Sequence, residues 1–478
     1  MKMIKFRLRF CAVLLTLAMV ITIFTACGQS PSNENAVSTE KPETSSVVTQ
    51  LAENGGSDAD TSSDAVDTVI AVDTVISVWN CDNTPEYEDG LKHIIQEYMN
   101  SHPGRTVEYT GLPWDNAKEK FDTAIATNTV PDCAYIVQQW AGSLAGTGGL
   151  LPLNEYIDRW DIKDQFDFEQ IFSSGLAVQD KLYMMPFEFG TTICWYRKDW
   201  YSSLGLSIPT TFNDWFNDIA ATTDLSAGRY GLTMRGGSGG STQLESWLIS
   251  YAGATEYFMP NGECFVTDPK TLEGLERFVS LYKNCTAEGD INNGYAEMSA
   301  AFGSDLAGMM YHNNSSFPEH LKNLGDISKF GSFILPKADN GVRAIGVGAY
   351  GYSGWVLFSG SKDQDATWDF ISYACSADMQ SYWNQVVGGL PSSFIAQNDA
   401  WIDDYPALVE IRDVLALPET KFCVVPAYYP DYSSAHTNIL LPGFQAVLLG
   451  DKTPAEYLAD WNTAMKDAKA DYEASIST

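Results

Sequence analysis

The chain has 478 residues, 45% of them hydrophobic, 13% aromatic and 19% charged, enough apolar surface for at least one sizeable core. That excludes wholesale disorder, a collagen-like repeat and a disulfide-stapled miniprotein. The formal net charge of −32 argues against nucleic acid as a partner, because binding a polyphosphate needs a positive patch and no Lys/Arg cluster follows the N-terminal segment.

The first 26 residues place Lys2, Lys5, Arg7 and Arg9 before an apolar run from Phe10 to Phe24, then Thr25-Ala26 and Cys27. This order is that of a secretory signal, and its end resembles a bacterial lipobox, so Cys27 is the expected lipidation site. Four of the 29 Lys and Arg fall in this segment, leaving 25 against 61 acids in the mature chain. The acidity suits solubility at a crowded surface. The expected location is the extracytoplasmic face of the bacterial cell membrane, held by the lipid.

Residues 27–73 are rich in Ser, Thr, Asn, Asp and Glu and bury too little to order themselves, so a disordered tether is expected. Its end repeats a hexapeptide, Ala65–Ile70 and Ala71–Ile76. The second copy, running through Val78 and Trp79, is the expected first strand. Thr84-Pro85 then opens a helix carrying Leu91, Ile94, Ile95, Tyr98 and Met99 at helical spacing. A further helix with Phe121 and Ile125 and a strand from Asp132 to Val137 complete a βαβ opening with a parallel sheet. Later strands are expected at Thr191–Tyr196, Tyr230–Met234 and Trp355–Phe358. Helices are expected around Trp215 and Ile219, over Leu272–Tyr282 and around Phe370–Ala374.

Seven cysteines remain besides Cys11 and Cys27, so at least one thiol is unpaired, and a Cys264–Cys285 bridge has no support of its own. With no CxxC, no HExxH and five histidines, neither a metal site nor a cofactor is expected. Gly346–Gly351 matches GxGxxG, but an apparent strand follows where a dinucleotide loop needs a helix. Gly236–Gly240 matches GxSxG between a strand and a helix, the context of a nucleophile elbow, with His312, His320 and His436 downstream. Four glycines around a serine are also cheap in a loop. The 13 Trp, 24 Tyr and 23 Phe say more, since several Trp stand beside polar residues or Gly at strand ends, which suits a sugar's apolar face and hydroxyl rim.

Several spaced blocks, Val130-Pro-Asp132, Gly148–Asp158, Asp180–Pro186 through Trp195–Asp199 and Pro209–Trp215, then Ala307–Tyr311, Gly354–Ser359 and Ala366–Ile371, resemble the family 1 extracellular solute-binding proteins of ABC importers, the maltose-binding-like group. The resemblance implies an α/β, two-lobed periplasmic-binding-protein-like fold of type II, its ligand cleft between lobes joined by about three crossings. Crossings are expected near Phe187–Gly190, Gly346–Tyr350 and Gly388-Gly389. The lobes are then 74–187 with 349–390, and 188–348 with 391–478. At the family's cleft positions stand Asn80, Asp82, Gln139, Trp140, Glu188, Trp247, Asn313 and Trp355. Trp140, Trp247 and Trp355 are expected to stack on sugar rings, and Asp82, Glu188 and Asn313 to bond hydroxyls. Trp195 and Trp368 are left to the core. The implied function is non-catalytic capture of a carbohydrate by a monomeric lipoprotein that hands it to ABC permease subunits. A surface glycan hydrolase and a binder of a non-sugar solute stay open as alternatives.

Overall fold

The computed structural model describes residues 74–348 and 350–476. The expected signal, tether and Cys27 lie outside them. In chain order β1 (Thr74–Asn80), β2 (Arg105–Gly111) and β3 (Cys133–Val137) are parallel with β1 in the middle. Between β1 and β2 runs the helix Pro85–Ser101, with proline in its first turn and Leu91, Ile94, Ile95 and Tyr98 on its buried face. A short hairpin of β4 (Ala177–Val178) and β5 (Lys181–Leu182) leads to β6 (Met185–Phe189). The chain then leaves for the other lobe as β7 (Thr192–Arg197), β8 (Tyr230–Thr233), β9 (Ala307–Asn313) and β10 (Phe330–Phe333). After β11 (Arg343–Val347) it returns as β12 (Tyr352–Leu357) and β13 (Leu390–Pro391), and its last strand is β14 (Thr420–Val424).

The first lobe is one six-stranded sheet in the order β13-β6-β12-β3-β1-β2, the second a four-stranded sheet in the order β10-β7-β9-β8. Both carry helices on their two faces, so side chains on either side of a strand are buried. Along β7 and β9, Ile193, Trp195 and Met310 join one cluster while Cys194, Tyr196, Met309 and Tyr311 join the other, the period-two alternation of a strand buried on both sides. Trp195 and Trp368 are both buried, as expected.

Two crossings lie side by side: Gly190-Thr191 between β6 and β7, and, between β11 and β12, Gly348 with Tyr350-Gly351. The Gly190 N–H donates to the Gly351 carbonyl at 2.8 Å. Asn314 ties this junction together, accepting from the Thr191 N–H at 2.9 Å and donating to the Gly388 carbonyl at 3.0 Å. β11 and β14 pair in parallel beside the crossings, and Phe189, Tyr352 and Phe422 pack there with centroids 5.0 and 6.0 Å apart.

The lobe limits differ from those expected. The boundary at 187/188 would fall inside β6, which pairs with β12 and β13 up to Phe189. Gly388-Gly389 is not a crossing either: Gly388 ends the helix Ala377–Val387 in the left-handed region at φ 74°, and the chain is still in the first sheet through β13. β2 carries no clear signal in the sequence, because Arg-Thr-Val-Glu-Tyr-Thr-Gly is an edge strand with only Val107 buried. The seven cysteines of the described residues, Cys264 and Cys285 included, are free thiols. None of the described helices is long and apolar enough to cross a membrane.

Candidate functional site

Parallel strands send their carboxyl ends to one edge, and in open α/β sheets that edge faces the ligand crevice. In the first lobe these ends are Asn80, Gly111 and Val137. In the second lobe β9 ends at Asn313, which pairs with Thr192 at the start of β7, so its carboxyl edge faces the crossings and the first lobe.

On the first wall the structure brings Asn80, Asp82 and Glu188 together. Asn80 is fully buried. Its amide donates to the Asp82 carbonyl and to the Tyr109 hydroxyl, 3.2 Å away, while its side-chain oxygen accepts the Asp82 N–H at 3.2 Å. It therefore shapes the turn and has little left for a solute. Asp82 is partly exposed and accepts from the Thr84 N–H at 2.8 Å, ordering the entrance to the helix Pro85–Ser101. Glu188 is buried and accepts the Trp383 indole N–H at 2.8 Å. Burial pushes its carboxyl above the usual range, with the Asp82 charge adding to the rise. Burial, then the charge of Glu188, pushes the phenol of neighbouring Tyr87 well up.

Further along this edge Trp140 is 6% exposed and Trp114 is 43% exposed, their ring centroids 5.0 Å apart at 31°. Trp114 begins a helix behind Pro113 at the end of β2. The two indoles form a ledge whose outer ring is open to a solute. Gln139 is partly buried, but its neighbour Gln138 is the engaged amide, donating to the Ser174 carbonyl at 2.7 Å and accepting the Tyr352 N–H at 3.0 Å. On the second wall Asn313 is partly exposed, its carbonyl accepting the Trp195 indole N–H at 3.0 Å.

Two expected platforms are corrected. Trp247 is 0% exposed, within the helix Gly240–Ala252 whose residues are buried nearly all round, and its ring is 4.7 Å from Phe278 and 5.1 Å from Tyr251. Trp355 is also 0% exposed, boxed by Phe370 at 5.3 Å, Phe187 at 5.9 Å and Tyr135 at 6.0 Å. Its strand β12 lies between β3 and β6, and Gly354 to Leu357 are buried on both faces. Trp114, Gln138 and Asn314 are the residues that sequence reasoning misses. The signal for Trp114 is Pro113-Trp114 after Val107, visible only once β2 is recognised.

The walls touch where Gly142 meets Tyr428: a Cβ at Gly142 would stand 2.2 Å from the Tyr428 Cβ. Gly142→Ala is therefore expected to hold the two lobes apart and to weaken solute binding by roughly tenfold or more, with little change in melting temperature. Calorimetric titration beside a melting curve checks this.

Behind the second wall Asp290 is buried and accepts the Met234 N–H at 2.8 Å and the Asn293 amide at 2.8 Å. Burial raises its pKa to about 6. A carboxyl raised on folding binds its proton more tightly in the folded chain, so its contribution is present below about pH 4 and is lost as pH rises towards 6. Asp290→Asn is expected to remove a fall in stability on the order of 1–3 kcal/mol across that window, measured by denaturant unfolding at pH 4 and pH 7.

The described residues hold no group of three or more His, Cys, Asp or Glu side chains able to take a metal ion. Of the histidines after the GxSxG loop, His312 faces Ser316 at 2.8 Å, His320 lies against Trp195 and Phe302, and His436 faces Ser241 at 3.0 Å.

Residues 83–381 match the model of the family described as bacterial extracellular solute-binding protein. The mannitol-binding protein of Pseudomonas aeruginosa is 23% identical over 303 residues, covering 60% of this chain and 66% of that protein. A protein of Brucella abortus described as a binding protein is 23% identical over 395 residues, 81% of this chain and 89% of its own length. The sugar-binding protein MalE of Xanthomonas citri superposes with a TM-score of 0.71 at 18% identity, covering 85% of this chain and 100% of that one. The fold is thus that of the two-lobed periplasmic binding proteins. The chain belongs to the bacterial extracellular solute-binding proteins, as the family match over more than half its length shows.

Proposed function

We propose that the protein captures a carbohydrate or polyol outside the cell and delivers it, unchanged, to the permease subunits of an ABC importer. The observation that carries this is the Trp114–Trp140 ledge at the carboxyl edge of the first sheet, the edge that also carries Asp82 and Gln139. A sugar ring needs that pairing of aromatic face and hydroxyl acceptors. Relatives named for mannitol and for sugar support the same solute class. Of the histidines downstream of Ser238, His312 and His436 face Ser316 and Ser241, and His320 is enclosed by Trp195 and Phe302, which supports a binding role.

Lipid attachment at Cys27 and a monomeric state belong to the same proposal, and mass spectrometry of the native N-terminus should show a diacylglyceryl adduct on Cys27. The function is tested by thermal-shift screening against sugars and polyols. The expected result is a raised melting temperature with at least one, recovered intact after long incubation. A shortened saccharide would point to a hydrolase, and stabilisation only by amino acids or peptides would overturn the carbohydrate assignment.

A further inference from the structure

The loop Arg235–Gly240 is compactly built. A Cβ at Gly236 would stand 2.5 Å from the Ile291 Cα, one at Gly237 2.4 Å from the Asn292 carbonyl oxygen, and one at Gly240 2.3 Å from the Arg235 carbonyl oxygen. The Gly236 and Gly237 N–H groups donate to the carbonyls of Asp290 and Asn293 at 3.0 and 2.9 Å, and the Gln445 amide donates to the Gly236 carbonyl at 2.9 Å. The glycines let the loop pack down on the segment 290–293, so the GxSxG match in the sequence has a physical purpose other than exposing Ser238.

What the loop holds is Arg235. Gly239, in the left-handed region at φ 77°, leaves room for the guanidinium, which a Cβ there would meet at 2.5 Å. Arg235 Nε donates to the Ser238 carbonyl at 2.6 Å. Among the described residues Arg159, Arg197 and Arg412 pair with carboxylates, whereas Arg235, half-buried, stands with Arg105, Arg229, Arg277 and Arg343 outside these ion pairs. Asp290, in the segment the loop packs on, spends its oxygens on Met234 and Asn293. On the other side stands His312, which burial, then the Arg235 charge, keeps neutral, with Tyr295 stacked on it at 4.6 Å.

Its place is what sets Arg235 apart from those other arginines. Arg235 follows β8, parallel to β9 with Thr233 opposite Met310, so it comes off the same carboxyl edge as Asn313. No side chain caps the first turn of the helix that begins at Gly240, and its amide end adds positive potential beside the guanidinium. A cation fixed by its own backbone and facing no protein anion is arranged for a charge-assisted bond to something else.

We propose that Arg235 selects the solute by binding an anionic group, so that the preferred ligand is an acidic carbohydrate carrying a carboxylate or a phosphate. This rests on the carbohydrate function proposed above and narrows it. The test is calorimetric titration of the whole protein with matched probes: glucose, glucuronate and glucose 6-phosphate, then maltotriose against trigalacturonate. The expected result is tighter binding of an acidic member than of its neutral counterpart, weakened at 0.5 M NaCl, and the better of the uronates and glucose 6-phosphate identifies the anion. Arg235→Gln should lower that affinity roughly tenfold to hundredfold at an unchanged melting temperature, and Arg235→Lys should restore part of it. If neutral sugars bind best, and equally to wild type and Arg235→Gln, the anion role is overturned while the carbohydrate function stands. If no saccharide of either kind binds, both fall.

Discussion

Trp355→Ala is expected to cost about 3–5 kcal/mol of folding stability. The indole is 0% exposed at the centre of the six-stranded sheet, with Tyr135, Phe187 and Phe370 around it. Its N–H has no hydrogen-bond partner, so the loss is one of packing: buried apolar area is removed and a cavity remains that the flanking strands β3 and β6 cannot close. Denaturant unfolding should show a lower midpoint for the first lobe, with solute affinity measured on the folded fraction unchanged. A stable Trp355→Ala that has lost its affinity would return Trp355 to the cleft.

Asn314→Ala should cost about 1–3 kcal/mol for each buried group it strands. The side chain is 0% exposed and serves the Thr191 N–H and the Gly388 carbonyl at once, joining a crossing of the second lobe to the helix end of the first. Because the two bonds span the junction, the variant should lose solute affinity as well as stability. Asn313→Ala, one residue away and partly exposed, should leave the melting temperature almost unchanged. Equal melting curves for the two variants would show that the junction does not depend on Asn314.

The sequence makes the architecture legible because its strong signals are local. Pro85 at the start of a helix, the end of the second hexapeptide copy from Thr74 opening β1, and the apolar run of Cys133–Val137 as β3 all stand in the structure. Which tryptophans line the cleft is not local information. Trp355 follows a glycine-bearing crossing, and Val356 and Phe358 suggest an alternation with one solvent face. Yet β12 lies between two other strands under helices, and Trp355, Val356 and Leu357 are all buried. Period-two reasoning has no exposed side to find there. Trp247 fails for the matching reason in a helix, since the stretch Gln243–Tyr251 is buried throughout. Trp114 is hidden in the opposite way: the polar edge strand before it carries too weak a pattern to mark its carboxyl end. Asn80 and Glu188 stand along the edge, where hydrogen bonds to the turn and to Trp383 make them supports for the wall.

The most direct test of a carbohydrate bound at the carboxyl edge is a calorimetric titration of Trp114→Ala against wild type, using the saccharide or polyol that most stabilises the protein. Trp114 is 43% exposed, so its removal should leave the melting temperature of the free protein within experimental error. If its ring is the stacking platform, affinity should fall roughly tenfold or more. Wild-type affinity in Trp114→Ala, with its melting temperature unchanged, would contradict the placement of the sugar on the Trp114–Trp140 ledge.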